Sequence, residues 1–161
     1  MTTSTVPDAT ALDRLQIIQS SRSVALVGVS ANPIRSSNFV AAYLVRTPFR
    51  TYMVNPAYQE ILGKKAYPSL ADLPETPDIV DVFRRHDAIP GVVDDAIAVG
   101  AKVVWLQLGL RHEEAARKAV DAGLKVVQDR CLKIEHARFS GRLNLAGFNT
   151  GVITSKRRRP I

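Results

Sequence analysis

Cysteine is almost absent from this chain. Its 161 residues include a single cysteine, Cys131, so no disulfide can form within the chain, as is usual in a reducing compartment. No apolar run approaches the roughly 20 residues that a membrane-spanning helix needs. Residues 1–10 also lack the basic and then apolar pattern of a signal peptide. These absences predict a cytoplasmic protein that has no membrane partner.

Negative charge is also scarce. The chain has 15 acidic and 22 basic residues, for a net charge of +7. Four of the positive charges lie in the tail segment 156–159, so the rest of the chain is only mildly basic. The composition therefore favours a solvated basic tail, residues 143–161, and nucleic acid is not an expected partner. A basic arm that binds nucleic acid is the alternative.

Apolar runs alternate with amphipathic segments along most of the chain. Strand-like runs occupy residues 23–27, 52–54, 78–83, 102–106 and 124–128. Continuous apolar strands separated by helices are typical of a parallel sheet that is covered on both faces. We therefore expect an α/β, Rossmann-like, doubly wound sheet of five strands in the order 3-2-1-4-5. It forms a single domain of residues 8–142, preceded by a disordered segment, residues 1–7.

Glycine is missing where a dinucleotide-binding loop needs it. The segment Val27–Pro33 joins the first strand to a helix, and the backbone N–H groups of such a turn favour a phosphate. A dinucleotide fingerprint is G-x-G-x-x-G. Gly28 is present, where it lets a phosphate approach the backbone closely, but Ser30 and Pro33 replace the other two glycines. The second strand ends in Asn55, where an NAD site would offer a carboxylate. The loop predicts a phosphate-bearing ligand other than NAD.

Polar side chains follow four of the predicted strands. The carboxyl ends of parallel strands share one edge of a sheet, and in the predicted order the ligand crevice lies between strands one and four. The set suits a long ligand that has a flat base and several phosphates. Ser30 and backbone amides would hold a pyrophosphate, with Arg35 and Arg84 adding charge-assisted bonds. Pro56 and Val82 would sandwich the ring. A simple turn at Asn55-Pro56 and a solvated loop at Arg84-Arg85 are the alternatives.

Several motifs resemble those of a known family. They are Ala25–Ser30, Val54-Asn55-Pro56, Tyr67–Leu70, Asp81–Arg84, Gly100–Gly109 and Asp129-Arg130-Cys131. Together they resemble the small stand-alone CoA-binding proteins and the N-terminal CoA-binding module of the succinyl-CoA synthetase alpha subunit. The resemblance implies that coenzyme A binds at the carboxyl edge of the sheet. The residues implied are Gly28, Val29, Ser30, Asn32, Pro33, Arg35, Ser36 and Ser37 near the phosphates, Asn55 and Pro56 at the adenosine end, Val82, Phe83 and Arg84 beside the nucleotide, and Gln107 and Leu108 along the pantetheine path.

Catalytic residues are not evident in the sequence. The synthetase has a further domain with a phosphorylated histidine and a partner subunit, but His86, His112 and His136 lie in no recognisable phosphohistidine loop. One cysteine and three histidines give no metal-ligand spacing. We expect a protein that binds CoA or an acyl-CoA without catalysis of its own. The alternatives are an accessory subunit of an acyl-CoA ligase, which needs a protein partner, and a regulatory nucleic-acid-binding protein.

Cys131 is a candidate redox residue. It follows the fifth predicted strand, where a helix begins. A helix N-terminus and the neighbouring Arg130 favour the thiolate, whereas Asp129 opposes it. If this strand end reaches the site, Cys131 would form a mixed disulfide with CoA under oxidising conditions. A packed, inert thiol is the alternative.

Overall fold

The computed structural model of the protein describes residues 5–139. Residues 1–4 of the predicted N-terminal segment and the whole predicted basic tail lie outside the described residues. Seven strands and five α-helices occur within 5–139. The strands are β1 Ser23–Val27, β2 Arg50–Val54, β3 Glu60–Ile61, β4 Lys64–Tyr67, β5 Ile79–Val82, β6 Val103–Leu106 and β7 Lys125–Val127. The helices are α1 Ala11–Ser20, α2 Ser36–Leu44, α3 Ile89–Val99, α4 Glu113–Asp121 and α5 Leu132–Phe139. None of these helices is long and apolar enough to cross a membrane.

The strands form one sheet in the order β3-β4-β2-β1-β5-β6-β7. The predicted strands correspond to β1, β2, β5, β6 and β7, so the predicted order 3-2-1-4-5 is wrong and the observed order is 2-1-3-4-5. The third predicted strand, β5, pairs in parallel with β1, because β4 occupies the outer side of β2. The switch point of the sheet therefore lies between β1 and β5, and not between the first and fourth predicted strands.

The prediction of five strands is wrong because of a hairpin at the sheet edge. Strands β3 and β4 pair antiparallel, within a segment that the sequence predicts as a loop with a turn at Gly63. The two turn residues, Leu62 and Gly63, both have positive φ angles, 53° and 72°, as tight hairpins require. A two-residue strand is too short to show an alternating apolar pattern.

Helices cover both faces of the sheet, as predicted for a doubly wound α/β domain. On one face, Val80 and Val82 of β5 pack in a core with α3 and α4. On the other face, Leu26 of β1 and Trp105 of β6 pack in a core with α1, α2 and α5. All five residues of β1 are buried, because it lies at the centre of the sheet. The Rossmann-like architecture of a single domain is confirmed.

The start of the described chain is anchored to this domain. Val6, in the segment predicted to be disordered, is 8% exposed and belongs to the α3–α4 core. Its backbone N–H donates a hydrogen bond to Glu113 Oε2 at 3.1 Å. Burial of an apolar side chain and a long-range hydrogen bond both favour an ordered segment here.

Gly28, the residue that follows β1, lies against the end of β5. Its φ angle is +87°, and an ideal Cβ on it would lie 2.7 Å from the Phe83 carbonyl oxygen. The sequence predicts glycine here for the close approach of a phosphate. The structure gives a different reason, because the neighbouring backbone already leaves no room for a side chain.

The substitution Gly28→Ala should destabilise the fold more than Gly109→Ala. Gly109 has the same φ of +87°, but nothing lies within 4 Å of its ideal Cβ position. Alanine at 109 should therefore cost only backbone strain, about 1–3 kcal/mol. Alanine at 28 adds a clash, which should cost at least about 1 kcal/mol more. Urea denaturation of both variants measures the difference. Equal losses of unfolding free energy in the two variants would show that the backbone at Phe83 moves to accommodate the alanine side chain at little cost.

Candidate ligand-binding site

An open cleft of about 520 Å³ lies at the carboxyl edge of the sheet. The ends of β1, β5 and β6 and the start of α2 form its walls, as expected at a switch point. The lining residues are Gly28, Ser30, Arg35, Ser36, Ser37, Phe83, Arg84, Arg85, Gln107, Leu108 and Leu110. Since β5 lies between β1 and β6, the loop after β5 separates Gly28 from Gln107, although both line the same cleft.

Most of the predicted site residues line this cleft, but several do not. Val29 and Val82 are fully buried in the two cores, so the predicted sandwich of a flat ring between Pro56 and Val82 has no support. Asn32, Pro33, Asn55 and Pro56 are also outside the lining set. The lining residues Arg85 and Leu110 were outside the predicted set.

The loop after β1 is held in shape by its own side chains. The Ser30 backbone N–H donates to Ser37 Oγ at 3.0 Å, and Asn38 Nδ2 donates to the Ser30 carbonyl at 2.9 Å. Asn32 N–H in turn donates to Ser30 Oγ at 3.0 Å. The Ser30 amide is therefore already bonded and is not available to a phosphate. These bonds dock the loop on α2 before any ligand arrives.

Asn55 supports the same loop from the end of β2. Its Nδ2 donates to the Val29 carbonyl at 3.0 Å, and its Oδ1 accepts from the Ala57 N–H at 2.9 Å. Both polar groups of the side chain are thus used within the protein, as in an Asx turn. The observed bonds favour the turn alternative over direct contact with an adenosine.

The N-terminus of α2 opens into the cleft. Its N-cap residue, Arg35, makes no side-chain capping bond, and within the described chain no acceptor pairs with the backbone N–H of Ser36 or Ser37. Both residues line the cleft. Unpaired N–H groups at a helix N-terminus, together with the helix dipole, favour an anion.

Three arginines add positive charge to the cleft. Arg35 and Arg84 have no ion-pair partner among residues 5–139, whereas Arg85 lies 3.8 Å from Asp87. No carboxylate belongs to the lining residues. The side chain of Arg84 passes beside Gly28, so it lies against the loop that follows β1. Guanidinium groups that lack a carboxylate partner are suited to bind phosphate oxygens.

Asp81 is buried directly beneath the cleft. It lies on β5 between Leu26 of β1 and Trp105 of β6 and is 0% exposed. Gln107 Nε2 donates to its Oδ2 at 2.9 Å. In the described part of the chain, Asp81 Oδ1 is the one buried side-chain nitrogen or oxygen without a partner. Burial raises the pKa of the Asp81 carboxyl well above its usual range, because a low-dielectric environment favours the neutral acid.

Two histidines that are distant in the sequence meet beside the cleft. The rings of His86 and His112 stack with their centroids 4.6 Å apart. His112 Nδ1 also accepts the Ala115 N–H at the start of α4, so this ring caps the helix. No group of three or more potential metal ligands occurs within residues 5–139.

Cys131 is partly buried in the core that includes Trp105. It does not line the cleft, and its carbonyl accepts the Glu135 N–H in the first turn of α5. The mixed disulfide with CoA stays a prediction, and none of these contacts supports it.

Comparison with known proteins points to one family. The model of the CoA binding domain family matches residues 22–137. The chain is 38% identical over 122 residues to the uncharacterized protein YneT of Bacillus subtilis, covering 76% of this chain and 90% of YneT. A solved structure of a hypothetical protein from Pyrococcus horikoshii matches with a TM-score of 0.79 and 40% identity, over 86% of this chain and 97% of that one.

A larger enzyme contains a similar region. The ADP-forming acetate–CoA ligase I of Archaeoglobus fulgidus is 28% identical over 119 residues. The alignment covers 68% of this chain but only 17% of the ligase. The similarity therefore concerns one region of that enzyme and not its whole length.

Replacement of Asp81 by asparagine should alter how stability depends on pH. In the unfolded chain the carboxyl ionises above its ordinary pKa, whereas in the folded protein burial raises its pKa, so that it stays protonated to a higher pH. The stability that the acid contributes is therefore present below the ordinary pKa and is lost as pH rises towards the raised pKa. Asparagine cannot ionise. Relative to the wild type, Asp81→Asn should gain stability with pH, by up to about 1.4 kcal/mol per pH unit.

Urea denaturation of both proteins at about pH 5, 6 and 7 measures this difference, and other titrating groups cancel in the comparison. A difference that stays constant over the range would show that Asp81 is ionised in the folded protein.

Proposed function

The chain belongs to the CoA-binding domain family, and on that basis we propose that it binds coenzyme A or an acyl-CoA in the cleft at the carboxyl edge of the sheet. The observation that carries the proposal is the positive character of one end of this cleft. There the uncapped N-terminus of α2 lies beside Arg35 and Arg84, with no lining carboxylate. A ligand that carries several phosphates matches this charge.

The cleft offers two kinds of surface along its length. The phosphates would lie at the Ser36 and Ser37 N–H groups and at the guanidinium of Arg84. The pantetheine arm would extend past the end of β6, along Gln107 and Leu108. Leu108 is 65% exposed, and an apolar side chain at this position would pack on the arm.

NAD is a poor match for the same loop. The glycine fingerprint positions backbone N–H groups for a pyrophosphate, whereas here the N–H of Ser30 is bonded to Ser37. Asn55 replaces the acidic residue that would bind a ribose, and its side chain is already bonded to the backbone.

We propose further that this chain binds its ligand without converting it. The hydroxyl of Ser30 contacts Tyr58 and the Asn32 backbone, and neither is a general base of the kind that activates a nucleophile. A role as an accessory component of an acyl-CoA ligase is the second candidate. The similarity to a segment of the acetate–CoA ligase favours it. The nucleic-acid alternative depends on a tail outside the described residues and stays a prediction.

Coenzyme A should bind, and NAD should not bind measurably at the same concentrations. Isothermal titration calorimetry with CoA, NAD and ATP tests this selectivity. The physical reason is that the α2 N-terminus and Arg84 select for phosphate charge, while the loop lacks the fingerprint glycines. Binding of NAD with no binding of CoA would refute the proposed function.

The substitution Arg84→Gln should weaken CoA binding by about 1–3 kcal/mol, the scale of a hydrogen bond to a charged group. Glutamine keeps the part of the side chain that packs near Gly28. Arg85→Gln is the matched control, because Arg85 is 90% exposed and is already near Asp87, and it should change the affinity much less. Equal and negligible losses of CoA affinity in the two variants would support the alternative that both arginines belong to a solvated loop and do not contact the ligand.

A further inference from the structure

We propose that Asp81 is a positioning residue for the ligand, which acts through Gln107 to present a hydrogen-bond acceptor to the pantetheine arm of coenzyme A. The proposal rests on the proposed function of the cleft. It adds the polar group that the arm meets and the buried residue that fixes that group.

The geometry of the pair sets the direction of the Gln107 amide. Gln107 follows β6 and is 6% exposed, and its Nε2 donates to Asp81 Oδ2 at 2.9 Å. This hydrogen bond holds the nitrogen of the Gln107 amide towards Asp81. The Oε1 atom is therefore directed away from Asp81.

The Oε1 atom of Gln107 is free to bind a ligand. No donor in residues 5–139 reaches it. Within the described chain, Asp81 Oδ1 is the one buried side-chain nitrogen or oxygen that lacks a partner, so Gln107 Oε1, which also lacks a partner, is not buried. Oε1 must therefore be accessible from the cleft that Gln107 lines. A fixed carbonyl oxygen in a cleft selects ligands that bring an N–H or O–H group.

The pantetheine arm has groups that satisfy this acceptor. It contains two amide linkages, each with an N–H donor, joined by short apolar segments. Leu108 lies beside Gln107 at the end of β6 and is 65% exposed, so an apolar surface adjoins the acceptor. An arm of alternating amides and methylenes fits this pair of neighbours.

Asp81 is suited to this task because its buried position fixes one oxygen as an acceptor for Gln107. Its Oδ2 accepts the hydrogen bond from Gln107, and its buried Oδ1 makes no hydrogen bond within the described residues. A buried carboxyl with one unpartnered oxygen is unfavourable for stability. Within the described residues, the bond to Gln107 is the one hydrogen bond that this carboxyl makes. Asparagine reproduces both the acceptor and the neutral charge.

The test compares two ligands on three proteins. The ligands are coenzyme A and 3′-phospho-ADP, which is the nucleotide part of coenzyme A without the pantetheine arm. The proteins are the wild type, Asp81→Ala and Asp81→Asn, with affinities from calorimetry. Asp81→Ala should weaken CoA binding by about 3- to 10-fold, the effect of one neutral hydrogen bond. Binding of 3′-phospho-ADP should not change, and Asp81→Asn should restore CoA affinity.

A control variant separates positioning from general loosening of the fold. Val80 is the neighbour of Asp81 on β5 and packs in the opposite core. Val80→Ala should lower stability but affect the two ligands equally. In the ligand-free proteins, the side-chain amide of Gln107 should give sharp, dispersed NMR resonances in the wild type and Asp81→Asn, and averaged ones in Asp81→Ala.

Each outcome has a distinct meaning. If the wild type does not bind CoA, the proposed function fails, and the pantetheine contact fails with it. If the wild type binds CoA but Asp81→Ala weakens both ligands equally, or neither, the positioning role is overturned. A loss in Asp81→Asn as large as that in Asp81→Ala would overturn it as well, since asparagine keeps the acceptor.

Discussion

The parallel pairing of β1 with β5 is the constraint on which the rest of this structure depends. It aligns Val27 with Val82, so the chain segments that leave the two strands start side by side. One of these segments becomes the loop that leads to α2, and the other carries Arg84 and Arg85 into the cleft. The same pairing places Asp81 between Leu26 and Trp105. The charge of the cleft and the buried acid beneath it therefore follow from a single choice of neighbouring strands.

The cleft combines an exposed cationic end with a buried polar pair. Arg35 and Arg84 have no carboxylate partner within residues 5–139, so their positive charges are available to an anion. Burial raises the pKa of the Asp81 carboxyl and so favours its neutral form, which adds no negative charge beneath the cleft. An ionised carboxylate at this depth would have opposed a phosphate above it. The neutral state lets the sheet contain a hydrogen-bonding acid without weakening the anion site.

The sequence was sufficient for the architecture and for the edge of the sheet that holds the cleft. Continuous apolar runs identified the five main strands, and the strand ends marked Ser30, Arg84 and Gln107. The order of the strands was not predictable in the same way. Strand β4 occupies the outer side of β2 and leaves no room there for β5, but the hairpin of β3 and β4 is too short to show a sequence pattern. The role of Asp81 was also hidden. An aspartate in an apolar run shows neither its burial nor its bond to a residue 26 positions away.

The reason for a glycine at position 28 affects how the loop after β1 should be compared between related proteins. Its missing side chain is required by the carbonyl of Phe83, that is, by the way two strands leave the sheet. A related chain that had lost its ligand would still need glycine here in order to fold. The glycine is therefore a marker of sheet architecture, and a search that sorts homologous sequences into binders and non-binders should score the arginines of the cleft and Gln107 instead.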